Sequence, residues 1–186
     1  MMRHLLLIGT GSPSAAFLPF YVASLRPHSD INVRVCLSHS ATRWVSSAAL
    51  ELLSGSPVAS GDTNVPEVAR HVEMSSWATH TVVVPATLAF CSSLAYGQSQ
   101  SLATSTALSS ASPLLLFPSL PGASMSGGPW SRVGRLLRED GHVVVDPVEG
   151  LSLTSAESEG GASPAPGVVL THIRKFLETS PSAANN

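Results

Sequence analysis

The side chains best placed to do chemistry are hydroxyls and glycines that follow short apolar runs. Leu5-Leu6-Leu7-Ile8 gives way to Gly9-Thr10-Gly11-Ser12-Pro13-Ser14. Glycine permits close backbone approach, and the free amides of a following helix attract an anion. Ser12 and Ser14 add hydroxyl donors, so Gly11 and Ser12 are candidates to hold a phosphate. A tight turn with a serine cap is the competing reading. The segment is neither the dinucleotide GxGxxG fingerprint nor a Walker loop, because the third glycine and the Gly-Lys-Thr/Ser are missing. A second loop, Ser38-His39-Ser40-Ala41-Thr42, again sets hydroxyls after an apolar run. Ser38, Ser40 and Thr42 are either partners for the same phosphate or plain helix caps. The third piece is His71-Val72-Glu73-Met74-Ser75-Ser76-Trp77. A histidine titrating near neutrality is a candidate acid or base. A structural or solvated histidine is the alternative.

These loops need elements to position them. Continuous apolar runs suit strands buried on both faces: Leu5–Ile8, Asn32–Leu37, Thr81–Val84, Leu114–Phe117 and His142–Val145. Helical stretches lie between them, at Ala15–Leu25, Thr42–Leu53, Leu88–Tyr96, Leu102–Ser109, Trp130–Glu139 and Val168–Leu177. Residues 54–66, 119–129 and 150–167 are expected as loops, and the last of these as mobile. Strands alternating with helices predict a single α/β domain, a Rossmann-like (flavodoxin-like) parallel sheet with helices on both faces. Ligands then bind at the carboxyl ends of the strands. The domain is expected over 1–178, with a frayed tail at 179–186.

Composition narrows the partners. Among 186 residues, hydrophobic types make up 44% and charged types 12%, which supports a buried core and argues against a solvated disordered chain. So few charges also suggest a surface covered by another subunit. A net charge of −2 without a basic run points away from nucleic acid and from anionic membranes. The amino-terminal apolar run is too short for a signal peptide, and no stretch has the length of a membrane span. A cytoplasmic protein with reduced thiols is expected. The two cysteines, Cys36 and Cys91, show no metal-ligand spacing and suit buried packing positions.

Order and spacing together carry a resemblance. His-Val-Glu-Met-x-x-Trp-Ala, then a valine-rich run and Pro85-Ala86-Thr87, resembles the His-Ile-x-Leu … Pro-Ala-Ser-Ala-Asn-Thr segment of the homo-oligomeric flavin-containing cysteine decarboxylases. That family includes phosphopantothenoylcysteine decarboxylase and the peptidyl-cysteine decarboxylases of lantibiotic-type biosynthesis. Gly9–Ser12, Leu37–Ala41, Leu114–Pro118 and Gly141–Pro147 resemble further family segments, in order, so that the likeness spans nearly the whole chain. The resemblance implies flavin, FMN or FAD, bound by Gly11, Ser12, Ser38, Ser40, Thr42, Pro85, Ala86 and Thr87. It implies His71 as the catalytic base, and a substrate site at Ser119, Leu120, Pro121 and Met125 with a mobile clamp loop over 146–167 carrying Gly160 and Gly161. The implied reaction is oxidative decarboxylation of the C-terminal cysteine of a precursor peptide to an enethiol, toward an aminovinyl-cysteine ring. The implied assembly is a trimer or dodecamer.

The chain departs from that pattern at telling places. Ala89 stands where the family has the asparagine of Pro-Ala-Ser-Ala-Asn-Thr, and Pro121 where a second asparagine binds the substrate carboxylate. A proline cannot donate that bond, which leaves Ser119, Ser124 or an amide near Gly122 as substitutes. Ala165 replaces the clamp glutamate. No cysteine occurs in 146–167, where phosphopantothenoylcysteine decarboxylase carries the one that reduces its product; this favours the peptide-modifying branch. Two alternatives stand beside it. One is a flavin-binding partner protein of the same fold with little activity of its own. The other is a flavin prenyltransferase of related fold, which the His71–Trp77 segment fits less well.

Overall fold

The computed structural model describes residues 2–61, 70–125, 128–151 and 158–179, the side chains of 151, 158 and 159 excepted. The expected frayed tail beyond 179 and the centre of the 146–167 loop lie outside these residues.

Six strands form a parallel sheet: β1 (Arg3–Gly9), β2 (Ile31–Leu37), β3 (Ala59–Ser60), β4 (His80–Thr87), β5 (Leu114–Ser119) and β6 (Val143–Val144). Their order is β3-β2-β1-β4-β5-β6, so the chain reverses direction across the sheet between β1 and β4. The helices are α1 (Leu18–Leu25), α2 (Ser47–Ser54), α3 (Arg70–Trp77), α4 (Leu88–Ala95), α5 (Leu102–Leu108), α6 (Pro129–Glu139) and α7 (Pro166–Leu177). The two-residue side-chain period of a strand explains how one apolar run serves two cores. Leu5 and Leu7 face α1, α2 and α7; Leu6 and Ile8 face α3, α4, α5 and α6. Both clusters are fully apolar at the centre, and β1, the middle of the sheet, contributes to both. This is the doubly covered parallel sheet that the apolar runs predict.

Four local differences matter. Thr42 does not open a long helix: a short 3-10 turn covers His39–Arg43, and α2 starts later, capped by the Ser46 hydroxyl on the Ala49 amide. The 54–66 loop contains the short edge strand β3. The His71 segment is helical, as α3. The stretch expected as a mobile loop contains an antiparallel hairpin, β7 (Val148–Leu151) with β8 (Ser158–Ala162).

Candidate active site

At the carboxyl ends of β1, β2, β4 and β5 four loops meet, as the chain reversal between β1 and β4 requires. Thr10 ties the first to the third. Its buried hydroxyl donates to the Pro85 carbonyl at 2.7 Å and accepts the Thr87 amide at 2.9 Å, while its own amide reaches Pro85 at 3.2 Å. A hydroxyl has one proton. With that proton on Pro85, the 3.3 Å contact between the Thr10 and Thr87 hydroxyls is made by the Thr87 proton or left weak. Thr87 also caps α4 through the Phe90 amide. The Val84–Pro85 peptide is cis, where the β4–β5 register shifts. Beyond the shift, Thr87 pairs with Ser119. Thr10 escapes a reading that treats hydroxyls only as ligand donors, although its place directly after a buried strand is the available signal.

The first and second loops lie shoulder to shoulder. A Cβ on Gly11 would fall 2.2 Å from Ser40 Oγ, so only glycine allows this approach. The Ser38 amide donates to the Gly9 carbonyl at 2.9 Å, and the Ser38 and Ser40 hydroxyls are 3.3 Å apart. Thr42, by contrast, turns its hydroxyl back onto the His39 carbonyl at 2.7 Å, so that proton is spent within its own turn. These two loops therefore carry hydroxyls and amides, with the cation Arg43 at the end of the second. No carboxylate occurs in residues 9–14 or 38–43, and such a donor set suits an anion.

The fourth loop brings most of the proposed substrate residues together. Ser119 Oγ lies 2.8 Å from Ser12 Oγ and so couples the fourth loop to the first. The Leu120 amide donates to the Gly161 carbonyl at 2.8 Å. Gly161 has φ +103°, and a Cβ there would lie 2.5 Å from the Leu120 oxygen. A Cβ on Gly160 would touch Met125 at 3.8 Å. Leu120, Met125, Gly160 and Gly161 thus form one seat for the hairpin. Pro121 is exposed, and its carbonyl accepts the Ser124 hydroxyl at 2.6 Å and the Ser124 amide at 2.9 Å. Ser124 is therefore engaged within its own turn.

His71 sits on the first turn of α3. The last residue of that helix, Trp77, stacks on His4 near the amino end of β1, with ring centroids 4.8 Å apart, and its carbonyl lies 3.0 Å from His4 Nδ1. The guanidinium of Arg34 lies 4.4 Å over the same indole. With its end pinned there, α3 points its first turn toward the carboxyl side of the sheet. His71 is partly buried. Trp130 is a core residue in the same apolar cluster as Leu120 of the fourth loop, and Tyr96 is half-exposed. Both thiols are buried, and burial pushes each up to about 12, so neither is a nucleophile at neutral pH.

This fold and this set of loops define an α/β protein with a doubly covered parallel sheet and hydroxyl-lined loops gathered at its switch point. The chain belongs to the flavoprotein family, whose model matches residues 1–178. It is similar to SpaF, described as an FMN-dependent cysteine decarboxylase, at 27% identity and a TM-score of 0.76, over 95% of this chain and 97% of that one. The fold is also that of MrsD from a Bacillus species, at 24% identity and a TM-score of 0.80, over 95% and 96% of the two chains. The coenzyme A biosynthesis bifunctional protein CoaBC of Mycolicibacterium smegmatis is 31% identical over 182 residues, 95% of this chain. The chain spans 42% of the length of that relative.

Proposed function

We propose that the protein binds FMN and catalyses oxidative decarboxylation of the C-terminal cysteine of a ribosomal precursor peptide. The peptide loses carbon dioxide and two hydrogens and ends in an enethiol, which addition to a dehydrated residue would close into an aminovinyl-cysteine ring. The observation that carries this reading is the junction of the hydroxyl-rich loops with the loop that seats the glycine hairpin, through Ser12 and Ser119. FMN is preferred to FAD because the similar SpaF is described as FMN-dependent.

The residues present fit a flavin phosphate. Gly11 gives close backbone approach, Ser12, Ser38 and Ser40 supply donors, and no carboxylate opposes the charge. Pro85, Ala86 and Thr87 would flank the ring system, with the Thr87 proton available to it. When bound, flavin supplies the two-electron oxidant for the Cα–Cβ–S unit of the substrate. His71 takes the thiol proton as general base. Leu120, Met125, Gly160 and Gly161 close over the peptide end and keep water from it. The sequence contains only Cys36 and Cys91, both buried, so no thiol of this chain reduces the enethiol. This supports peptide modification over coenzyme A synthesis, despite the likeness to CoaBC. A homo-oligomer, trimer or dodecamer, is part of the proposal. The exposed aromatic side chains Phe17, Phe20 and Trp44, on and beside the first two loops, support a covering subunit there.

The flavin-loaded protein should be mixed with synthetic peptides ending in cysteine and their masses read. Loss of carbon dioxide plus two hydrogens, abolished by His71→Asn with flavin retained, is the expected result. A second reading, a flavin-binding partner protein of low activity, is favoured by Ala89 and Pro121, which remove two amide side chains. Bound flavin with no mass change in any such peptide would select it.

A further inference from the structure

Pro121 leaves the peptide's terminal charge without the side-chain donor that the resemblance implies, and the hydroxyl protons of the site show which side chain is left to join the backbone amide near Gly122 in replacing it. Ser124 gives its only proton to the Pro121 carbonyl at 2.6 Å. Ser119 and Ser12 share one hydrogen bond at 2.8 Å, and the Ser12 oxygen also accepts the Ser14 amide at 3.4 Å. Once Ser12 directs its proton to a bound phosphate, the proton between the two serines comes from Ser119. Neither Ser119 nor Ser124 then has a proton for a carboxylate.

Ser163 is in the opposite state. Its Oγ is the one buried side-chain polar atom without a hydrogen-bond partner among the described residues. A buried hydroxyl with no partner is costly and uncommon in a native structure. It lies two residues past Gly161, whose carbonyl accepts the Leu120 amide at 2.8 Å, in the short link between the end of β8 at Ala162 and the start of α7 at Pro166. It thus follows closely on the residue that joins the hairpin to the fourth loop.

We infer that Ser163 is a substrate-positioning residue that donates its hydroxyl proton to the C-terminal carboxylate of the peptide as the peptide enters beneath the hairpin. This rests on the cysteine-peptide reading above. It also makes the missing asparagine a relocation of the carboxylate donor from the fourth loop to the hairpin arm.

The test is equilibrium binding to the flavin-loaded His71→Asn protein, in which turnover is stopped, followed through the flavin spectrum. A peptide ending in cysteine with a free carboxylate is compared with the same peptide as a C-terminal amide. The parent should prefer the acid by roughly tenfold or more, the worth of a hydrogen bond to a charged group. Adding Ser163→Ala should abolish that preference and leave the melting temperature without peptide unchanged or higher, because no bond is lost. An acid preference that survives Ser163→Ala overturns the role of Ser163 and leaves the cysteine-peptide reading standing. A lowered melting temperature in Ser163→Ala shows that the hydroxyl already has a folded-state partner, and overturns it too. A parent that binds neither peptide, or both equally, overturns the role together with the reading beneath it.

Discussion

The Thr10 hydroxyl serves two backbone groups of the third loop at once, the Pro85 carbonyl and the Thr87 amide. Thr10→Val keeps the shape and leaves both partners buried and unmade. A loss of about 1–3 kcal/mol is expected, with weaker FMN binding, whereas Thr10→Ser should retain most of both. Thermal unfolding and flavin titration of the two variants decide this. The thiols give a prediction of the other sign. Each has a folded-state value raised by burial from 9.0 to about 12, so the folded protein holds those protons longer than the unfolded chain does. Their contribution is complete below pH 9 and is lost as pH rises toward 12. Native protein at pH 8 should therefore resist thiol reagents, and denatured protein should react at both cysteines. At this scale the sequence was readable where a residue type has few uses. Gly11 stood out because glycine after a buried strand permits close backbone approach, and the second loop does pack against it at Ser40. Thr10 and Ser163 did not, because an oxygen's partner, or lack of one, is a property of the folded neighbourhood.

The elements that the sequence hid are those with too few residues, or too little periodicity, to show a pattern. The edge strand Ala59–Ser60 has two residues. The hairpin of β7 and β8 is built from Val148-Glu149-Gly150-Leu151 and Ser158-Glu159-Gly160-Gly161-Ala162, whose glycines erase the alternation that marks a strand. Its stability comes instead from its seat on the fourth loop. Gly161→Ala puts a Cβ against the Leu120 carbonyl and a side chain on a φ of +103°, at a cost of about 1–3 kcal/mol. The expected result is faster hydrogen exchange at the Leu120 amide and weaker peptide binding, with flavin affinity retained. At the other side of the sheet, the Leu114 amide at the start of β5 donates to Nδ1 of His142, 3.2 Å away. That bond needs a neutral ring. Burial holds His142 below the ordinary histidine value of 6.5, against the opposing pull of the Asp140 carboxylate. The unfolded chain thus binds the proton more readily, and stability falls as pH drops through that value. Melting temperatures between pH 7 and 5 should fall less steeply in His142→Asn than in the parent. Equal slopes would remove His142 from the acid limb.

For the molecule as a whole, the order β3-β2-β1-β4-β5-β6 is what turns scattered loops into one site. The alternation of apolar runs and helices was enough to place the loops after β1, β2, β4 and β5 at one end of the sheet. What the sequence could not supply was which hydroxyls face a ligand and which, like Thr42, serve their own turn. Ligand-linked stability tests that division without any turnover. A ligand that binds only the folded state at a hundredfold excess over its dissociation constant adds about 2.7 kcal/mol. For a domain of this size each kcal/mol raises the melting temperature by about 2–4 °C, so saturating FMN should raise it by roughly 5–11 °C. Riboflavin keeps the ring and lacks the phosphate that Gly11, Ser12, Ser38 and Ser40 are proposed to hold. At the same concentration it should give a much smaller shift. Ser12→Ala and Gly11→Ala should each bring the FMN shift down toward the riboflavin value, while Thr42→Ala leaves the difference between FMN and riboflavin intact. Equal shifts for FMN and riboflavin would mean that the hydroxyl-lined loops hold no phosphate, and that the flavin, if bound, is held by its ring alone.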